Sequence, residues 1–259
     1  MDSNEKLIIK LLEKLFKIDG LERYILSSRK YMLEVVTFNA ANGDTKHSDL
    51  VEIDKFLSKN PNRDFLIIQE IQEEFGEFLP NNYKLITGCP ILLDDGRDIN
   101  SMGIVYNKDK FKPFGYLDIA HIGVVGSGSG THYAIVHVFT HKVTKEKIKI
   151  INVHTGHNYG DNVKEGVIQK IKDLQDFGDS EIMITAGDFN ELSSENPESI
   201  RELIGDGFND DKDKPTHNTE KILDQIGIKT KKTIENKKFQ VLDNYGSDHN
   251  AVLLNVELN

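Results

Sequence analysis

Cysteine is nearly missing from this 259-residue chain: Cys89 is the only one. No intrachain disulfide can form and no cysteine-based zinc site is available, so the chain is compatible with a reducing compartment. Tryptophan is absent, which removes one usual anchor at a membrane interface. No stretch approaches the ~18 consecutive apolar residues of a membrane-spanning helix. A positive charge balance is lacking too, with 32 Lys and Arg against 42 Asp and Glu, a formal net charge of -10. Non-specific binding to duplex nucleic acid depends on Lys and Arg displacing counterions from phosphates, so a general DNA scavenger is disfavoured. A local basic patch beside an acidic metal site stays compatible with that balance.

What is present reads as a soluble globular α/β chain, with 38% hydrophobic and 29% charged residues. Leu7, Ile8, Leu11, Leu12, Leu15 and Phe16 form the stripe of an amphipathic helix that Gly20 can stop, giving an N-terminal helical extension over 1–30. Charged residues interrupt Met1 to Lys17, so no secretory signal is read there and an intracellular, cytoplasmic location is expected. Strands are predicted at Leu33–Phe38, Asp64–Gln69, Gly103–Tyr106, Tyr133–Thr140, Ile148–Val153, Ile182–Thr185 and Ala251–Leu258. Helices are predicted at Leu50–Leu57 and about Asn162–Asp176. The expected fold class is α+β: a four-layered α/β-sandwich over 31–259, two mixed β-sheets packed face to face with helices outside. A monomer is expected.

Polar residues cluster where the predicted strands end, which is where packed sheets open into pockets. Asn39 follows Val35–Phe38, Glu70 follows Leu66–Gln69, His154 follows Ile150–Val153, and Asp188 follows Ile182–Ala186. Each has a bland reading alone: a turn former, a helix cap, a satisfied strand-end histidine, an Asp/Asn turn. The joint pattern outweighs these. Gly187-Asp188-Phe189-Asn190 sets a carboxylate and an amide two residues apart beside a glycine that lets the backbone turn. Ser247-Asp248-His249 offers a carboxylate for a hard cation beside an imidazole. Asp224, flanked by apolar residues, is suited to hold a histidine in one tautomer.

In this order the segments resemble the endonuclease/exonuclease/phosphatase superfamily, across about Leu33 to Leu258. Thr37-Phe-Asn39, Gln69-Glu70, Asn152-Val-His154, Gly187-Asp-Phe-Asn190, Leu223-Asp224 and Ser247-Asp-His249 are similar to its successive motifs. The resemblance implies a catalytic domain over 31–259 that hydrolyses phosphate esters with Mg²⁺, or Mn²⁺, by in-line attack of water. It implies Glu70 as metal ligand with Asn39 and Asp248 close by. Asp188 and Asn190 would orient the water and a phosphate oxygen, and His154 would donate to the phosphate. His249, oriented by Asp224, would act as base or charge partner. Whether Asp188 or His249 takes the proton is open. The expected partner is a phosphate-ester substrate, with a nuclease-type phosphodiester favoured over a phospholipid or inositol phosphate. A binding module that has lost catalysis is the remaining class, disfavoured by the full set of acids and histidines.

His157 competes with His154 for the central histidine role, and Asp98 is a weak candidate for its acidic partner. Gly126-Ser-Gly-Ser-Gly130 lacks a following lysine and reads as a flexible loop. Lys229-Thr-Lys-Lys232 reads as a solvated run that, if near Asp224, would steer an anionic substrate. Pro215-Thr-His217 resembles a stretch of nuclease-like members and tilts the expectation toward nucleic acid.

Overall fold

The computed structural model describes residues 31–40, 63–71, 73–88, 91–92, 98–99, 101–121, 133–156, 161–190, 192–209 and 213–259. The expected N-terminal helix, the helix at 50–57, Cys89, the 126–130 loop and His157 lie outside them, as does the side chain of Asp98. The strands are β1 (Tyr31–Asn39), β2 (Phe65–Ile71), β3 (Tyr83–Gly88), β4 (Ile91–Leu92), β5 (Asp98–Ile99), β6 (Ser101–Asn107) and β7 (Phe111–His121). They continue as β8 (Tyr133–His141), β9 (Lys147–His154), β10 (Ile182–Asp188), β11 (Asp224–Thr230), β12 (Ile234–Val241) and β13 (Val252–Leu258). Helices are α1 (Asp161–Asp176), α2 (Leu192–Glu195) and α3 (Pro197–Ile204), with a 3-10 helix at Glu73–Phe78.

A six-stranded sheet, ordered β12-β13-β1-β2-β6-β3, faces a five-stranded sheet, ordered β11-β10-β9-β8-β7. Leu33, Val35, Phe65, Ile67 and Ile104 of the first pack between the sheets against Ile135, Ile150, Ile184 and Ile226 of the second. The alternate residues are buried as well. Val36, Phe38, Leu66 and Ile68 pack outward with Phe75 of the 3-10 helix. Val136, Ile151 and Val153 pack outward beneath α1 and α3 through Ile171, Ile200 and Leu203. Strands buried on both faces explain the continuous apolar runs in the sequence. Among the described residues, α-helices cover the outer face of the five-stranded sheet and the 3-10 helix lies on that of the six-stranded sheet.

Each sheet is mixed because it contains one parallel pair, β1 with β2 and β9 with β10. A parallel pair needs a crossover and brings both carboxyl ends to one edge. Register sets Asn39 beside Gln69 in one pair and His154 beside Asp188 in the other. Antiparallel β11 starts at that same edge, with Asp224 opposite Asp188. β13 runs back along β1, with Val252 opposite Thr37, so the residues just before it also reach this edge.

A buried polar link fastens the two sheets below the edge. Gln69 Nε2 donates to Asn152 Oδ1 at 2.6 Å and to Thr37 Oγ1 at 3.3 Å. Asn152 Nδ2 donates to the carbonyls of Ile68 at 2.7 Å and Gly103 at 2.9 Å. Such a network crosses an otherwise apolar interface only because its amide donors are satisfied.

Candidate active site

Three backbone positions at this edge are conformationally special, and each aims a functional side chain. Glu70 has φ of 54° beside a register irregularity between β2 and β6, and Asn190 has φ of 47°. Non-glycine residues adopt such values at a cost of about 1–3 kcal/mol, which surrounding structure must offset. Gly187 has φ of 142°, and a Cβ there would lie 1.9 Å from the Val153 carbonyl oxygen. Only glycine lets β10 lie this close to β9 immediately before Asp188.

Asp188 is the hub. Its side chain is buried, and Oδ1 accepts the Asn190 backbone N–H at 2.8 Å. Oδ2 accepts from Asn39 Nδ2 at 2.9 Å and has His154 Nε2 at 3.7 Å and His249 Nε2 at 3.8 Å. Asn39 Nδ2 also reaches Glu70 Oε1 at 3.3 Å, and His154 Nε2 lies 3.4 Å from the same oxygen. One amide and one imidazole thus join the Glu70 and Asp188 carboxylates. Asn190 Nδ2 donates to the Thr155 carbonyl at 2.5 Å, while its Oδ1 is buried with no hydrogen-bond partner.

On the other side of Asp188, His249 Nδ1 lies 2.8 Å from Asp224 Oδ2, both side chains being buried. Asp248 Oδ1 is 3.9 Å from His249 Nε2, and Asp248 Oδ2 is 3.3 Å from His217 Nε2. The Ser247 hydroxyl donates to the Asn39 carbonyl at 2.8 Å and accepts the His249 N–H at 3.0 Å, tying the last motif to the first.

Electrostatics separate the acids. Burial works to raise Asp188, but His249, His154, the Asn190 N–H and the Asn39 amide together hold it below the usual carboxylate value. Burial raises Asp224 and its neighbour Asp188 adds to this, against the opposing pull of His249 and Thr216. Burial works to lower His249, yet the charge and hydrogen bond of Asp224, with Asp188 and Asp248 behind, push it well above the ordinary histidine value. At neutral pH this favours an imidazolium at His249 between two carboxylates.

All eight residues named from sequence therefore meet at one edge, but the expected metal trio is divided. Asn39 and Glu70 lie on one side of Asp188, and Asp248 lies on the other against His217 and His249. Ligand atoms of His217, Asp248 and His249, and of Asp188, Asp224 and His249, each fall within 4.8 Å of one another, and Glu70 is in neither group. The Asp224–His249 contact in the second group is occupied by a hydrogen bond. Glu70 beside the buried Asp188 offers carboxylate oxygens, which fit a hard divalent cation better. Asn39 presents its NH₂ to both carboxylates, so its visible role is to hold them.

One expectation is corrected. Lys229-Thr-Lys-Lys232 cannot steer a substrate at Asp224, because β11 carries the chain from Asp224 to the far end of the sheet, about 20 Å at strand rise. There Lys229 reaches Gln175 Oε1 at 3.2 Å and Lys232 pairs with Glu146 at 2.5 Å. His217 and Thr216 were not singled out from sequence as site residues. Their signal was the Pro215-Thr-His217 stretch just upstream of Asp224.

No protein-family model matches the chain, and no curated protein does. Solved structures do. An endonuclease/exonuclease/phosphatase from Bacteroides vulgatus matches with TM-score 0.66 at 17% identity, covering 88% of this chain and 100% of that one. A mannosyl-6-phosphatase from Bacteroides thetaiotaomicron matches with TM-score 0.59 at 19% identity, covering 86% and 99%. TDP2 from D. rerio, in complex with a single-strand DNA product, matches with TM-score 0.61 at 16% identity, covering 88% and 99%. The two mixed sheets of this chain thus have the fold of the endonuclease/exonuclease/phosphatase superfamily.

Proposed function

We propose that the chain hydrolyses phosphate esters with the help of a divalent cation, Mg²⁺ or Mn²⁺, held by Glu70 with Asn39 and Asp248 close by. The observation that carries this reading is the convergence of Asn39, His154 and His249 on Asp188 Oδ2, beside Glu70. When bound, the cation supplies charge neutralisation at the phosphate. Asp188, kept anionic, orients the attacking water and takes its proton. His249, kept protonated by Asp224, and His154 donate toward phosphate oxygens as charge builds in the transition state. Asn190 is held through Thr155 and offers its unpartnered Oδ1 to the water.

A nucleic-acid phosphodiester is the favoured substrate, supported by the likeness to TDP2 solved with a DNA product. The acidic balance of -10 fits single strands or ends better than long duplex. A phosphomonoester is the second reading, supported by the likeness to a mannosyl-6-phosphatase. The test is a panel of single-stranded and duplex nucleic acids, abasic DNA, 2′,5′-linked nucleotides, sphingomyelin, inositol phosphates and a sugar phosphate, each with Mg²⁺ and with chelator. Turnover of at least one substrate that stops in chelator and returns with Mg²⁺ is expected; full turnover in excess chelator overturns the cation role.

A further inference from the structure

The loop between α3 and β11 is clipped to the Ser247–His249 segment by its backbone. Asn218 N–H donates to the Asp248 carbonyl at 2.9 Å, and Asn250 N–H donates to the Thr216 carbonyl at 2.6 Å. His217 and His249 form an antiparallel bridge, their rings 4.6 Å apart at 73°. Within the loop, Thr216 and His217 N–H both donate to the Lys221 carbonyl, at 3.0 and 3.1 Å. Thr216 Oγ1 accepts the N–H groups of Leu223 and Asp224 at 2.9 Å each. The His217 backbone is therefore fixed by the same turn that delivers Asp224.

The His217 ring is fixed as well. Nδ1 lies 2.7 Å from Thr219 Oγ1 and 3.1 Å from the Thr219 backbone N–H. Nε2 faces Asp248 Oδ2 at 3.3 Å, and because a carboxylate oxygen accepts, Nε2 is the donor of that contact. A nitrogen carrying a proton is not a metal ligand, so this contact makes His217 a donor to the carboxylate rather than a ligand beside it. Asp248 needs one: its side chain is 44% exposed, against 2% for Asp188 and 0% for Asp224. Unrestrained, a carboxylate so exposed samples several rotamers, and ordering it costs free energy at the moment of binding.

We propose that His217 is a positioning residue for Asp248: it holds Oδ2 by its Nε2–H and leaves Oδ1 as the oxygen directed toward the cation. This rests on the cation-dependent reading above. Carboxylates that ligate metals are themselves held by hydrogen bonds, and losing such a partner typically costs about 10 to 100-fold in metal affinity.

The experiment is Mg²⁺ binding to the chelator-stripped full chain by calorimetry, checked by Mg²⁺-dependent thermal shift, for the unaltered protein, His217→Ala and His217→Gln. Melts without metal establish folding of each variant. The expected result is a ~10-fold or greater weakening of Mg²⁺ affinity in His217→Ala. His217→Gln, whose amide nitrogen replaces the Nε2 donor, should recover most of it. Initial rates measured across Mg²⁺ concentrations should show the loss in His217→Ala as a higher Mg²⁺ concentration required. Affinity in His217→Ala within twofold of the unaltered chain overturns the role of His217 and leaves the cation reading standing. Equal loss in Ala and Gln variants overturns it too, since the imidazole rather than a donor would then be needed. No Mg²⁺ response in the unaltered chain removes the cation reading itself, and His217's role with it.

Discussion

His249 Nδ1 and Asp224 Oδ2 are 2.8 Å apart with both side chains buried, and Asp224 stands opposite Asp188 in the register of β10 and β11. Two acids thus share one imidazolium through its two nitrogens. The arrangement keeps His249 charged and makes Asp224 dependent on it.

That dependence has a measurable sign. In the unaltered chain His249 sits above its ordinary 6.5, so its stabilisation is complete below that pH and is lost as pH rises through the higher folded value. His249→Ala removes the main group that lowers Asp224, leaving burial and Asp188 to raise it further than the value of about 6 it has in the unaltered chain. The folded variant then holds a proton that the unfolded chain releases. Its stability should fall with rising pH from about 4 until Asp224 ionises in the fold, at up to about 1.4 kcal/mol per pH unit. Urea midpoints of the variant across pH measure this; a variant whose stability stops falling at about pH 6, where Asp224 ionises in the unaltered fold, would show that Asp224 is not held charged by His249.

Gly187→Ala should be among the most damaging single substitutions. The added methyl meets the Val153 carbonyl at 1.9 Å and the residue must keep φ of 142°. Backbone strain and displacement of β10 from β9 should together cost about 3 kcal/mol or more, read as a large drop in Tm. Gly166→Ala is the control, because a Cβ there has nothing within 4 Å. It should be neutral or slightly stabilising.

Asn152→Leu tests the link between the sheets. It keeps the approximate volume but removes the amide donor to the buried Ile68 and Gly103 carbonyls and the shortest acceptor of Gln69 Nε2, which keeps only its longer contacts to Thr37 Oγ1 and the Ile67 carbonyl. The expected cost is about 2–4 kcal/mol by denaturant unfolding. Because Gln69 adjoins Glu70, metal affinity should fall with it. A variant as stable as the parent would show that the network is dispensable.

The central strands were legible because both faces are buried. Val35–Phe38, Leu66–Gln69 and Ile150–Val153 are apolar runs, each followed by a polar residue at the shared edge. The edge strands were not. β12 reads Ile-Glu-Asn-Lys-Lys-Phe-Gln-Val with its middle exposed, and β7 contains Pro113 and Gly115, which only an edge or an irregularity tolerates. Motif order named eight residues that meet at one edge but did not give which side of Asp188 each takes, since Asp248 is bonded to the loop around His217, far from it in sequence. The lysine cluster misled for the mirror reason: closeness to Asp224 along the chain becomes the full length of a strand in space.

The pairing of Asp224 with His249 is tested by a double-mutant cycle. Asp224→Asn keeps the size of the side chain and can still accept a hydrogen bond from Nδ1, but it carries no charge to hold the imidazolium. If His249 must be protonated and correctly oriented to meet the phosphate, the amide should lower the rate at neutral pH by about 10 to 100-fold, or more if the pair behaves as a triad does. His249→Ala should lower it at least as far, since the donor itself is gone. If Asp224 acts on the reaction only through His249, then once the imidazole is removed the Asn substitution has little left to disrupt. The double variant should therefore be within about threefold of His249→Ala, far from the product of the two single losses. Initial rates at saturating Mg²⁺ on the best substrate of the panel, with melts confirming that all three variants fold, give the comparison. Full multiplication of the two losses would mean that Asp224 serves the reaction by a route independent of His249, against the 2.8 Å contact that joins them.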